Sequence, residues 1–256
     1  MRGLLLRFVK AIARAVIAAQ SQTYEGFSVA PQKRRPYDVR DAYPDSVKSF
    51  HRRFPDNPFT HAWKLIDSGV ATRWAFHGGS CPIQVPRTAG DPVTVGVIWN
   101  RYGEDIKKWC AFYQVPEELV IATIATESSG GAGARREEPG YVSDLETPHR
   151  VSVGLMQTLL STAQETLHMS EIDAAWLEDP GNSIQAGVAY IARQSELTNY
   201  DPPLVAAGYN AGGLYPNRNA HNPWGLRCYP INTGEHISRY VKWFNDAVAM
   251  LRDELA

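Results

Sequence analysis

The stretch EELVIATIATESSGG, residues 117–131, decides the fold because a long apolar run meets a turn of two serines and two glycines. Pro116 suits the start of a helix, and the two glutamates that open the stretch favour the positive end of the helix dipole. The pattern predicts a helix that ends at Glu127, where glycine lets other backbone or a ligand approach closely. The sequence thus places one carboxylate at the end of an apolar helix.

Helical periodicity extends from about Thr94 to the end of the chain, and signals for strands are few. One apolar helix face is formed by Val97, Ile98, Tyr102, Ile106, Trp109 and Tyr113. Further helices are predicted over Thr158–Leu167 and over Asn182–Leu197, with Asn182 at the N-terminal cap. The last helix has an apolar stripe of Ile237, Tyr240, Val241, Phe244, Val248 and Leu251. We therefore predict a mainly α domain over residues 96–256.

Residues 21–95 differ from that domain because they are rich in proline and contain the basic run Lys33-Arg34-Arg35. The prolines are Pro31, Pro36, Pro44, Pro55, Pro58, Pro82, Pro86 and Pro92. This composition predicts an irregular segment with short helices at most. Its aromatic residues favour a segment that wraps the main domain or docks it to a partner.

Residues 1–20 are predicted to form a basic amphipathic helix. At about 100° per residue, Arg7, Lys10 and Arg14 share one arc of its surface. The same three residues interrupt the run of roughly 20 apolar residues that a membrane-spanning helix needs, and they also interrupt the core of a secretory signal. The alternatives are packing on this protein or a partner, contact of residues 1–19 with a membrane surface, and an atypical signal peptide.

Composition and charge exclude several classes of protein. The chain of 256 residues has 26 Lys and Arg against 27 Asp and Glu, so we expect no nucleic-acid partner. Cys81, Cys110 and Cys228 stand far apart without the spacing of a zinc site, and we expect no metal and no cofactor. One disulfide with a leftover thiol and three free thiols both remain open.

Glu127 is the candidate for catalysis. Apolar neighbours and the negative end of the helix dipole both disfavour its ionised form, so its pKa should rise. A raised pKa suits a general acid near neutral pH. The simpler alternative is a solvated glutamate at a helix end. Only other motifs in the sequence can distinguish a catalytic Glu127 from such a residue.

Several such motifs follow Glu127-Ser128 in order. They are Gly154-Leu155-Met156-Gln157, Asp179-Pro180-Gly181-Asn182, Gly208-Tyr209-Asn210-Ala211-Gly212, and Glu235 with Tyr240-Val241. Each is weak alone. Together they resemble the soluble-type lytic transglycosylase (SLT) domain of glycoside hydrolase family 23, over roughly residues 96–250. The resemblance implies a lysozyme-like fold for the catalytic domain, beside the irregular N-terminal appendage.

The resemblance also implies a role for each matching residue. Glu127 corresponds to the catalytic acid, and Ser128 to the serine that follows it. The residues implied to bind substrate or to orient the site are Ser128, Met156, Gln157, Tyr209, Asn210, Glu235 and Tyr240. For Met156 and Tyr240, core packing is an equal alternative to substrate contact.

The implied substrate is the glycan strand of bacterial peptidoglycan. Glu127 would protonate the leaving oxygen of a MurNAc-GlcNAc bond and then act as the base that forms a 1,6-anhydro end. One alternative is hydrolysis as in goose-type lysozymes, with Asp144 positioning a water. Another is a structural or peptidoglycan-binding module without turnover. The interval between Glu127 and Gly154 is longer and more polar than the family pattern, which predicts a lobe over the site. This lobe is either a solvated loop or a segment whose arginines or Tyr141 bind stem peptides or flanking sugars.

The place of action is a separate expectation. The substrate lies in the periplasm or cell wall, and residues 1–95 favour docking into a larger assembly. We expect a phage virion or tail, with a secretion machine or the bacterial periplasm as alternatives.

Overall fold

The structure, a computed structural model, describes residues 61–67, 72–78, 84–85, 87–198 and 200–253. Helices dominate it, which confirms the mainly α class. The helices are α1 (Val93–Tyr113), α2 (Glu117–Glu127), α3 (Leu160–Leu167), α4 (Ala174–Glu178), α5 (Pro180–Arg193), α6 (Ser195–Thr198), α7 (Pro202–Ala211) and α8 (Glu235–Asp253). The predicted helix at residues 1–20 and Cys81 lie outside the described residues.

Two small antiparallel sheets accompany these helices in the described ranges. Their strands are β1 (His61–Asp67), β2 (Thr72–Gly78) and β3 (Gln84–Val85) in the first, and β4 (Arg135–Glu137), β5 (Val151–Val153) and β6 (Thr158–Leu159) in the second. A short 3₁₀ helix, Pro148–Arg150, precedes β5. The second sheet lies between Glu127 and α3 in the sequence, so it belongs to the region of the candidate site.

The centre of the fold is α2. Its residues from Leu119 to Thr126 are all buried, and the helix packs against α1 and α8. A helix that is apolar on every face has to lie inside the protein. Each fully buried Leu, Ile or Val side chain stabilises the fold by about 1.5 to 3 kcal/mol relative to exposure. The apolar run in the sequence therefore became the core.

The helices that flank α2 bury one face each. On α8, the predicted stripe is buried from Ile237 to Val248, and Leu251 packs at its edge. On α1, Ile98 and Ile106 are buried as predicted, but Val97 is 42% exposed. Val97 departs from the prediction because Val95, Ile98 and Trp99 take the inward positions of the first turns.

Two helix starts differ from the predictions. The helix expected from Asn182 begins at Pro180, and Asp179 is its cap, accepting a hydrogen bond from the backbone N–H of Asn182 at 3.0 Å. The helix expected from Thr158 begins at Leu160, because Thr158 and Leu159 pair with β5 instead. The first of these helices also ends at Arg193 instead of Leu197, and the separate short helix α6 follows it.

The strands β1 and β2 correct the expectation of short helices at most in residues 21–95. Their register pairs Trp63 with Phe76 and Leu65 with Trp74. Both runs alternate large apolar residues with others, which is the pattern of a strand. The high proline content of the segment obscured this alternation.

Val85 and Thr88 are hydrogen-bonded to α8. The buried carboxylate of Asp246 accepts hydrogen bonds from the Thr88 backbone N–H at 2.7 Å and from its hydroxyl at 2.6 Å. The Asn245 side chain donates to the Val85 carbonyl at 2.6 Å.

The helices in the described part of the chain include none with the length and apolar character of a membrane span.

Gly187 is required where α5 contacts Met156, and its replacement by alanine is expected to destabilise the protein. A Cβ at Gly187 would lie 2.6 Å from Met156 Cε and would clash with the sulfur as well. We expect Gly187→Ala to lower the free energy of unfolding by about 1 to 3 kcal/mol, measured by urea denaturation.

Gly96 in α1 is the matched control, because a Cβ there meets nothing within 4 Å. Gly96→Ala should raise the free energy of unfolding by about 0.5 to 1 kcal/mol, as alanine is the better helix former. Equal effects of the two changes would contradict the packing described for Gly187.

Candidate functional site

Glu127 is the last residue of α2, and the turn after it fixes where its side chain lies. Ser128 caps the helix, and Ser129 and Gly130 follow with positive φ angles of 53° and 86°. A Cβ at Gly130 would lie 3.2 Å from Ile98 Cγ1, so glycine serves both conformation and packing there. The stop predicted from the serines and glycines is confirmed.

The Glu127 side chain is 18% exposed. Burial raises its pKa from the ordinary value of 4.5 to about 7, and the charges of Arg239 and Arg136 oppose that rise. A buried carboxyl prefers its neutral form because the ionised form has lost its water. The rise in pKa agrees with the expectation from the apolar sequence.

Ser128 connects α2 to the Gly154–Gln157 segment. Its hydroxyl donates to the Leu155 carbonyl at 2.6 Å and lies 3.2 Å from the Ile124 carbonyl. It also accepts from the Gly130 backbone N–H at 3.2 Å. In this structure the Ser128 hydroxyl therefore holds protein groups in place around Glu127.

Gln157 follows Gly154 in a tight turn between β5 and β6, and both residues have positive φ. Its side-chain Nε2 donates to the Ala134 carbonyl at 2.8 Å and to the Gly154 carbonyl at 2.9 Å. These bonds use both amide hydrogens. A ligand would therefore meet the Oε1 atom, which the Ser152 hydroxyl approaches only at 3.4 Å.

Met156 is fully buried and packs against Gly187, which favours the core-packing alternative for its side chain. Its backbone N–H donates to the Ser183 hydroxyl at 3.2 Å, and its carbonyl accepts from the Tyr209 hydroxyl at 2.8 Å. Met156 thus fixes the backbone that carries Gln157.

Tyr209 and Asn210 lie in the last turn of α7 but have different surroundings. The Tyr209 hydroxyl lies 2.9 Å from Thr158 Oγ1 as well as bonding Met156, and burial raises its pKa, with the Glu127 charge contributing. The Asn210 Oδ1 accepts from the Tyr229 backbone N–H at 2.5 Å. Tyr209 therefore braces the turn before Gln157, and Asn210 fixes the loop that follows α7.

Tyr240 is fully buried, which favours the core-packing alternative over substrate contact. Its hydroxyl donates to the Leu119 carbonyl at 2.9 Å and lies 3.4 Å from the Thr123 hydroxyl. The residue fastens α8 to α2. Burial raises the pKa of Tyr240, and the Glu127 charge adds to the rise.

Glu235 is exposed on the first turn of α8, whereas its neighbour His236 is buried and faces Glu127. The distance from His236 Nε2 to Glu127 Oε1 is 3.6 Å. Residues four apart share a helix face, so His236 lies on the face of Tyr240 and Glu235 does not. The sequence prediction missed His236, although its spacing from Tyr240 could have identified it.

The polar interval after Glu127 begins in β4 and ends in β5, so residues 138–150 form a closed lobe. Arg135 binds Asp144 at 2.7 Å and the Tyr141 hydroxyl at 2.9 Å, and Tyr141 donates to Asp144 at 2.8 Å. The Arg135 hydrogen bond lowers the pKa of Asp144. Asp144 is therefore an ionised partner of Arg135 at the base of the lobe.

Two other expectations concern metals and thiols. Within the described part of the chain, no group of three or more His, Cys, Asp or Glu side chains could hold a metal ion. Cys110 and Cys228 are free and buried, and burial raises the pKa of both thiols.

In a comparison with known protein families, residues 104–223 match the family model described as the transglycosylase SLT domain. The lytic transglycosylase Slt of Pseudomonas aeruginosa, solved as an inactive mutant, is 20% identical with a TM-score of 0.44. The 70 kDa soluble lytic transglycosylase of Escherichia coli is 21% identical with a TM-score of 0.41. Each match covers 60% of this chain but 24% of the solved chain. A comparison with curated proteins gave no match.

The residues matched by the family model include most of the candidate site. Glu127, Ser128, Met156, Gln157, Tyr209 and Asn210 lie inside residues 104–223. Glu235, His236 and Tyr240 follow the matched range. The roles assigned to α8 therefore depend on the contacts in the structure.

Replacing Glu127 by glutamine is expected to stabilise the protein at high pH. Because folding raises the pKa of Glu127 from 4.5 to about 7, its contribution to stability is greatest below pH 4.5 and is lost as the pH rises to about 7. Glutamine is neutral throughout. The thermal midpoint of Glu127→Gln should exceed that of the wild type at pH 8, and the gap should close towards pH 5.

Glu146, which is exposed in the lobe, supplies the matched control. Glu146→Gln also removes one carboxylate, and the pH dependence of its thermal midpoint is the reference for that of Glu127→Gln. A constant gap for Glu127→Gln between pH 5 and pH 8 would contradict the raised pKa.

Proposed function

We propose, from the match of residues 104–223 to the transglycosylase SLT domain, that the protein cleaves the glycan strands of peptidoglycan as a lytic transglycosylase. The observation that carries the proposal is Glu127, a largely buried carboxyl with a pKa of about 7 at the end of the central helix. The site around it is built from the motifs that resemble the family.

A pKa of about 7 suits a group that has to act twice in one reaction. Near neutral pH both forms of Glu127 are populated, so it can donate a proton in one step and accept one in the next. A carboxyl of ordinary pKa would be ionised almost completely and would be a poor proton donor. The burial of α2 thus supplies the property that the chemistry needs.

The substrate can supply the nucleophile. Most glycosidases use two carboxyl groups about 5 to 9.5 Å apart, but the family motifs provide Glu127 alone as a matched carboxylate. In the proposed first step, Glu127 protonates the glycosidic oxygen while the acetamido oxygen of MurNAc attacks C1 and the bond to GlcNAc breaks. An oxazolinium results, and Glu127 is left ionised.

In the second step the same residue acts as the base. The Glu127 carboxylate takes the proton of the C6 hydroxyl, the C6 oxygen attacks C1, and the acetamido group is released. The product is a 1,6-anhydroMurNAc end, and Glu127 is again protonated. No other proton donor or acceptor is required.

The positions of Gln157 and Asn210 support roles in holding the sugar. Both side chains are half-buried, and Gln157 has an Oε1 atom free of short hydrogen bonds to the protein. This oxygen can accept from an N–H or hydroxyl of the glycan. The Arg135 and Tyr141 side chains at the lobe suit flanking sugars or stem peptides.

Hydrolysis of the goose-type-lysozyme kind is the alternative reaction, and Asp144 was its candidate for positioning water. The contacts favour the transglycosylase reaction, because Arg135 and Tyr141 already engage the Asp144 carboxylate. A non-catalytic peptidoglycan-binding module is the remaining alternative.

Glu127→Gln is expected to abolish release of soluble products from purified peptidoglycan. Glutamine preserves the shape of the side chain but cannot deliver a proton, so turnover should fall by at least about a thousandfold. Mass spectrometry of the soluble fraction is the measurement, with Glu146→Gln as the control that keeps wild-type activity.

The chemical form of the products distinguishes the alternatives. Anhydromuropeptides from the wild type support the proposed reaction, whereas free reducing ends would establish hydrolysis. No products from either protein would favour the binding module.

We propose further that residues 1–95 attach the enzyme to an assembly that crosses the cell envelope, with a phage virion or tail as the first candidate. The basic pattern of residues 1–19 and the composition of residues 21–95 support docking. Detection of the protein in purified particles is the expected result. Removal of residues 1–19 during bacterial export would instead establish a periplasmic enzyme.

A further inference from the structure

His236 is a buried polar residue that the proposed reaction does not use. Its side chain is 4% exposed, and its Nε2 has no hydrogen-bond partner within the described part of the chain. A buried N–H or ring nitrogen without a partner costs free energy, so such a residue calls for a reason. The Glu127 Oε1 atom lies 3.6 Å from this nitrogen.

The other groups that face Glu127 come from three elements. Arg239 of α8 and Arg136 of β4 lower the pKa of Glu127. Tyr209 of α7 and Tyr240 of α8 are buried, and the Glu127 charge raises their pKa values. Both hydroxyls have partners elsewhere, since Tyr209 donates to the Met156 carbonyl and Tyr240 to the Leu119 carbonyl. Of the three buried side chains, the two tyrosines are thus committed to backbone carbonyls, and His236 Nε2 is the one that faces Glu127 without a partner in the described ranges.

We infer that His236 is a positioning residue for Glu127, and that its Nε2–H donates a hydrogen bond to the carboxylate while Glu127 is ionised. The inference rests on the proposed function, because Glu127 is ionised between its two proton transfers. The separation of 3.6 Å has to close by about 0.5 Å to reach an ordinary N–H···O distance. Catalytic hydrogen bonds are often long without substrate and tighten in the complex.

A neutral imidazole suits this role better than a charged one. Burial, together with the smaller effect of the Arg239 charge, lowers the pKa of His236 to about 4. The ring therefore keeps one N–H at neutral pH and cannot compete with Glu127 for the proton. A proton on Nε2 faces the carboxylate, whereas a bare Nε2 would present a lone pair to an anion.

The consequence is that His236 strengthens Glu127 as an acid. A hydrogen bond to the ionised form offsets part of the cost of burial and lowers the pKa of Glu127. Without the donor, the pKa should rise and proton donation should become slower. The direction of the change in the Glu127 pKa distinguishes a donor from an acceptor. An acceptor would stabilise the protonated form of Glu127, so its loss would lower the pKa.

His236→Phe and His236→Gln form a matched pair, because phenylalanine fills the space without a donor and glutamine keeps an N–H near the position of Nε2. Titration of the Glu127 carboxyl by ¹³C NMR is the first measurement. We expect its pKa to rise by about one unit in His236→Phe and to stay near the wild-type value in His236→Gln.

Activity on peptidoglycan gives the second measurement. In His236→Phe, the midpoint of the basic limb of the pH profile should rise by about one pH unit, and the maximal rate should fall about tenfold. In His236→Gln, both quantities should be close to those of the wild type. Thermal unfolding of each variant checks that it is folded, and His236→Leu is the second donor-free variant should phenylalanine prevent folding.

The result that overturns the inference is a Glu127 pKa that is unchanged, or lowered, in the donor-free variant. The NMR titration reads this without turnover, so it remains decisive if the wild type releases no products and the proposed function fails. An active wild type, an inactive Glu127→Gln and an unshifted His236→Phe would leave the proposed function in place and remove this inference alone.

Discussion

The burial of α2 is the constraint on which the rest of the site depends. Because the helix is enclosed on every side, the residue at its end cannot be fully hydrated, and the Glu127 carboxyl holds its proton to about pH 7. The surrounding contacts serve that placement. The Ser128 hydroxyl ties the end of α2 to the Gly154–Gln157 segment, and Tyr240 ties α8 to α2. Tyr209 supports the turn between β5 and β6.

The sequence was sufficient to predict α2, its end at Glu127 and the raised pKa, because all three follow from a local run of apolar residues and a glycine turn. It could not decide between core and site for Met156 and Tyr240, since both are motif residues with large apolar side chains. Burial favours the core for both, and that burial depends on residues far away in the chain such as Gly187 and Leu119.

Other differences arose where two local signals competed. Asp179 and Asn182 can both cap a helix, and the acidic residue before proline took that position. In residues 61–78 the proline content of the wider segment masked two alternating runs that pair as strands. The motif points to Glu235 and not to His236, although helical spacing from Tyr240 places the histidine towards Glu127.

The contact between Thr88 and Asp246 bears on where a shortened version of the protein can begin. Asp246 has both carboxylate oxygens bonded to Thr88, and Asn245 holds the Val85 carbonyl. A chain cut just before α1 would leave a charged group inside the protein without its donors, at a cost of several kcal/mol. The helix that would suffer is α8, which also carries His236. The autonomous folding unit is therefore expected to include residues from at least Val85 onward.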